Sequence, residues 1–149
     1  MRMSERGLAL IKKFEGCRLQ TYFDPAGVPT IGYGHTGVDV VPGLVWTQEQ
    51  ADQMLARDLV KFETKVAEYG MVYHWTQNEF DALVSFAYNI GSIKDLTMNG
   101  TRNRTEIIMH WPLYRKAGGK ILNGLVRYLL CFRLPAPVQL THKHLGTHH

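Results

Sequence analysis

The chain has 149 residues, 45% apolar and 20% charged, with a net charge of +4. This is most simply one compact domain, long enough to bury a core without covalent staples. The modest positive charge favours an anionic partner (nucleic acid, a membrane surface or a bacterial envelope) without choosing among them. Two distant cysteines, Cys17 and Cys131, make neither a metal site nor a disulfide framework, so a reducing compartment is the default. The N-terminus MRMSERGLALIKKFEG is charged throughout and reads as neither a secretory signal nor an anchor. No run approaches the roughly 18 apolar residues of a spanning helix, so cytoplasmic synthesis without stable membrane insertion is expected.

In chain order, Ser4 is a plausible N-cap, with Leu8, Ile11 and Phe14 at near-helical spacing behind it. Gly16 is a natural stop, which places Glu15 at the C-terminal end of that helix. Thr21, Tyr22 and Phe23 suit a strand, Asp24-Pro25-Ala26-Gly27 a turn, and Thr30 to Tyr33 a returning strand. Pro29 confines the return to a sheet edge or a strand's first residue. From Thr47 the period becomes helical: Thr47 and Gln50 form a capping box, and Ala51, Met54, Leu55, Leu59, Phe62 and Val66 line one face. Thr76 and Glu79 repeat the signature before Phe80, Leu83, Val84, Ala87 and Ile90, with Gly91 as the stop.

Ile107 to Tyr114 has a helical pattern that Pro112 should kink or end. Leu122, Leu125, Val126 and Leu129 predict a last helix, stopped by Pro135 and Pro137, and the tail is expected to fray. Trp75, Trp111, Phe80 and Phe86 read as core. The expected class is α+β: a hairpin lobe at about 17–46 set into a helical lobe of 1–16 and 47–133, with a tail at 134–149. A cleft between lobes is a usual place for a binding site.

The chemistry concentrates in EGCRLQTYFDPAGVPTIGYGHTG, residues 15–37. A helix C-terminus carries partial negative charge, and with partial desolvation it pushes the pKa of Glu15 upward, as a general acid requires. A turn between Asp24 and Thr30 lets a carboxylate and a hydroxyl face one space, where they can hold and activate water. Each residue has a plainer reading: an acid near a helix end is solvated, Asp before Pro starts turns, and Thr forms strands. Together they fit glycosidic hydrolysis, in which one carboxyl protonates the leaving oxygen while the other assists water. Gly32 and Gly34 would let a sugar chain approach the backbone closely.

The spacing of Glu15, Asp24 and Thr30 ahead of IGYGHTG resembles the phage-type lysozymes, or endolysins, of glycoside hydrolase family 24. WTQNEFDALVSFAYNIG (75–91) and AGGKILNGLVR (117–127) extend the resemblance. It implies a lysozyme-like fold with Glu15 as acid, and Asp24 and Thr30 managing the attacking water. The implied substrate is the bond between N-acetylmuramic acid and N-acetylglucosamine in peptidoglycan, cut with inversion and without metal or cofactor. The two carboxyls should then lie roughly 6.5–9.5 Å apart. A monomer that waits in the host cytoplasm for a holin-type lesion is the corresponding expectation. A glycan-binding module without turnover and a lytic transglycosylase are the alternatives, while nucleic acid has no clustered basic stripe to bind.

Tyr33 and Tyr22 are sugar-stacking candidates with packing as the alternative. Asn89 either faces the cleft or serves a cap, and Arg127 either pairs with Glu15 or is solvated. His35 is expected to be a structural hydrogen-bonder, and Cys17 a small buried residue. After Arg127 the chain departs from the family pattern, and Tyr128 to Phe132 form a continuous apolar run.

Overall fold

The structure, a computed structural model, describes residues 1–114. The expected last helix, Arg127, the apolar run, the lobe boundary at 133 and the tail lie outside the described residues. The class is α+β: helices with one two-stranded antiparallel sheet. No described helix is long and apolar enough to cross a membrane.

Helix α1 spans Glu5–Glu15, and Ser4 caps it by accepting from the Gly7 N–H at 3.0 Å. Gly16 ends it with φ 68°, its N–H donating to the Lys12 carbonyl. Strand β1 (Arg18–Phe23) and strand β2 (Pro29–Gly32) then pair, with Tyr22 opposite Thr30 and Phe23 opposite Pro29. Pro29 is the first residue of β2, where its missing N–H interrupts no ladder. The other edge of β1 is covered by the chain at 44–46: Thr21 N–H donates to Leu44 and Trp46 N–H to Leu19. The hairpin thus gains a third extended segment, which its sequence does not announce.

Helix α2 (Gln48–Ala67) starts at the Thr47–Gln50 capping box and buries Ala51, Leu55, Leu59, Phe62 and Val66, with Met54 half-buried beside them. After the short α3 (Gly70–Tyr73) comes α4 (Gln77–Ile90), with the Thr76–Glu79 box at its start and Gly91 at its end. The expected single apolar face of α4 is an underestimate. Every residue from Phe80 to Ala87 is buried, because α4 is central and packs against both α1 and α2. Phe86 further meets Trp111 and Tyr114 edge-on.

Burial on all sides of α4 brings Asp81 inside, at 1% exposure. It accepts from the Ser4 N–H at 3.0 Å and from the Ser4 hydroxyl, and Gln77 donates to it at 2.8 Å. This network joins the start of α1 to the central helix, and a buried carboxyl is tolerated where such donors surround it. Helix α5 (Arg104–His110) follows, then a tight 3₁₀ turn from Trp111 to Tyr114 in which Pro112 ends the α-helix as expected. An Asn103–Glu106 capping box sets the start of α5, ahead of the predicted apolar pattern.

Candidate active site

Glu15 is the last residue of α1 and reaches into a cleft of about 400 Å³ between the hairpin lobe and the helices. Desolvation raises its pKa to about 7, and interaction with the Asn89 amide only partly opposes the rise. Asn89 stands near the end of α4 and donates its other amide hydrogen to the Ser85 carbonyl at 3.0 Å. Asn89 therefore lines the cleft and is anchored within its own helix, whose cap is Gly91.

Asp24 lines the same cleft from the β1–β2 turn. Its Oδ1 accepts from the N–H groups of Ala26 (2.8 Å) and Val28 (2.9 Å), which fixes the carboxyl over the turn. Thr30 is 4% exposed and is not among the cleft-lining residues; its hydroxyl donates to the Val28 carbonyl at 2.9 Å. The Asp24 N–H donates to that same carbonyl at 3.0 Å. Asp24 and Thr30 are thus tied to one peptide unit, with Thr30 placed to hold the turn that carries Asp24.

Two of the expected sugar contacts have other occupations. Gly32 is buried with φ 69°, and a Cβ there would fall 2.9 Å from the Trp46 ring, so its smallness serves packing. Tyr33 is 7% exposed, and its hydroxyl donates to Asp52 (2.9 Å) while accepting from Gln48 (2.9 Å). Its phenol faces α2, and its backbone carbonyl accepts the Tyr88 hydroxyl at 2.8 Å. Gly34 is the glycine at the cleft: with φ 91°, a Cβ there would sit 3.5 Å from Glu15 Oε2 and 3.8 Å from the Tyr88 oxygen. Tyr22 lies under the Arg18 guanidinium, 4.4 Å from its ring centroid. Cys17 is half-buried, not buried, with the Gln48 amide 3.8 Å from its sulfur.

His35 has the structural role its position suggests. Its Nδ1 lies 2.7 Å from Asp58 of α2 and its Nε2 3.0 Å from Asp39. Burial pulls its pKa down, but hydrogen bonds and charge from Asp58 and Asp39 outweigh that and raise it. Tyr88, Asp58, Lys61, Phe62 and Thr36 also line the cleft. Sequence reading misses these because their only signal is a partner far along the chain. Among the described residues, no group of three or more His, Cys, Asp or Glu could hold a metal ion.

Residues 12–128 match the model of the family described as phage lysozyme. The chain belongs to the phage lysozyme family. It is 42% identical over 132 residues to an endolysin of Lactococcus phage c2, covering 85% of this chain and 56% of that protein. An endolysin of Salmonella phage P22 is 34% identical, with 79% of this chain and 86% of the relative covered. The chain spans about half the length of the Lactococcus and Bacillus phage relatives it matches. Among solved structures, the endolysin of Escherichia coli O157:H7 phage FAHEc1 superposes with a TM-score of 0.71 at 33% identity, covering 91% of this chain and 95% of that one. The muramidase domain of SpmX from Asticaccaulis excentricus gives 0.70 at 32% identity, with 87% and 97% covered. The fold is lysozyme-like.

Proposed function

We propose that this phage lysozyme family member hydrolyses the β-1,4 bond between N-acetylmuramic acid and N-acetylglucosamine in peptidoglycan, for host cell lysis. The observation that carries this reading is Glu15, an acid whose desolvation keeps its pKa at about 7 in a cleft also lined by Asp24. Glu15 gives its proton to the glycosidic oxygen as the anomeric C–O bond breaks. A water oriented by Asp24 attacks the opposite face, and Asp24 takes up the proton released. The product is the inverted hemiacetal, with no covalent intermediate. Thr30 keeps the Asp24 turn in place through Val28.

No step in this scheme requires a metal or cofactor. The partner is the glycan strand, met as a monomer, after the protein leaves the host cytoplasm through holin-type lesions. Mass spectrometry of fragments released from purified peptidoglycan tests the reading, with Glu15→Gln beside the wild type. Reducing muramic-acid ends from the wild type alone are expected. Anhydro ends would assign the chain to transglycosylation, and no fragments from folded protein would leave glycan binding as its activity.

A further inference from the structure

Among the described residues, Lys61 brings to the cleft a positive charge that the proposed reaction does not use. Lys61, on the exposed side of α2, lines it together with Glu15, Asp24, His35 and Asp58. The acid one helical turn before it, Asp58, is committed to His35 at 2.7 Å. Among the described residues Lys61 forms no ion pair. Its ammonium lies 5.1 Å from the centroid of the Phe62 ring, another part of the cleft wall. Lys65, one turn further, lies 5.5 Å from the same ring but donates its hydrogen to the Gly91 carbonyl at 2.8 Å. Of the two ammonium groups, Lys65 has a backbone acceptor, and among the described residues Lys61 has the ring face.

We propose that Lys61 is a specificity-determining contact that receives a carboxylate carried by the glycan, as the ring of a sugar residue settles near Phe62. The inference rests on the peptidoglycan reading above. Muramic acid differs from glucosamine by a lactyl ether, and the carboxylate has two sources: the lactyl group itself where it is free, or the peptide built on it. Either brings one anion to every second sugar, and an ammonium at the cleft edge distinguishes such a chain from an uncharged one. The contact is present in the ground state as much as in the transition state. It should therefore act on KM and leave kcat nearly unchanged.

The test measures KM and kcat for wild type, Lys61→Met and Lys61→Arg on two glycans, each with carboxylates free or capped as methylamides. One glycan is stripped of peptide, leaving lactyl carboxylates; the other keeps its peptides. For a partly exposed ion pair, Lys61→Met should raise KM roughly two- to fivefold at low ionic strength, and added salt should erase the difference. Capping should raise KM for the wild type and leave the Met variant unmoved, while Arg restores the wild-type value. A loss on the stripped glycan identifies the lactyl carboxylate as the ligand, and a loss confined to the peptide-bearing glycan identifies the peptide. An equal KM for Met and wild type on every free-carboxylate glycan overturns the proposal, as does an equal loss on capped and uncapped chains. If the wild type cuts no glycan at all, the peptidoglycan reading itself has failed.

Discussion

Glu15 works against the fold that holds it. Its folded pKa is raised from 4.5 to about 7 by desolvation, so the native state binds its proton more tightly than the unfolded chain does. The associated stability is therefore present at acid pH and is lost as pH rises between those two values. Glu15→Gln keeps the shape and removes the charge. It should raise Tm at pH 8 by on the order of 2–8 °C, with little change at pH 4, while activity falls about 10²–10⁴-fold. Thermal scans at both pH values check the first part, and an equal effect at each would overturn it. In the wild type, activity should decline as pH climbs through about 7, where the acid form is lost. Thr30 makes a different prediction because it acts through Val28. Thr30→Val removes the hydroxyl but keeps the volume, and should lower kcat roughly 10–100-fold by loosening the Asp24 turn, with KM almost unchanged. Thr30→Ser should restore most of the rate; a Ser variant as slow as Val would show that the hydroxyl does not matter.

Elements begin and end here where short-range chemistry says they should, and that is why most of the fold is legible in the sequence. The Ser4 cap, the Thr47–Gln50 and Thr76–Glu79 boxes and the Gly16 and Gly91 stops each involve residues within one turn. The Asn103–Glu106 box is equally local and readable, since Asn caps helices as well as Ser or Thr. Apolar periodicity alone begins too late, at Ile107. The positions of Glu15 at a helix end and Asp24 in a turn are legible for the same reason, whereas the contacts of Gly32 and Tyr33 are not, because Trp46, Gln48 and Asp52 reach them from further along the chain. Gly7 shows how packing can reverse a local preference. In an ordinary helix Gly→Ala stabilises by ~1 kcal/mol. Here a Cβ on Gly7 would lie 2.6 Å from Asp81 Cγ, within the network that fastens α1 to α4. Gly7→Ala should therefore destabilise, by about 1–3 kcal/mol. Denaturant unfolding checks the sign, and a more stable variant would mean that α1 shifts freely against α4.

At the scale of the molecule, the hairpin lobe is held to α2 by charged and polar contacts that respond to pH. His35 links Asp39 of the hairpin lobe to Asp58 of α2, beside the Tyr33–Asp52–Gln48 contacts and the Lys12–Asp52 ion pair at 3.5 Å. A doubly protonated imidazole donates to both carboxylates, whereas the neutral ring has one N–H and must turn a lone pair toward one of them. Its folded pKa is raised above 6.5, so the stability it lends is complete below that value and is lost as pH rises through the folded pKa. On the acid side, the His35 hydrogen bond holds the Asp39 pKa below 3.8, so that contribution is present above 3.8 and fades as pH falls through the lowered value. The clasp is therefore strongest between about 4 and 6.5, and above that window its weakening follows the loss already caused by Glu15. His35→Asn, which cannot take up a charge, should lower Tm most near pH 6 and least near pH 9. Thermal unfolding across that range in low salt separates this pair effect from the Glu15 slope, because the variant keeps Glu15. A Tm difference that stays constant from pH 6 to pH 9 would mean that the clasp holds through packing against Trp46, 5.5 Å between ring centroids, and not through charge.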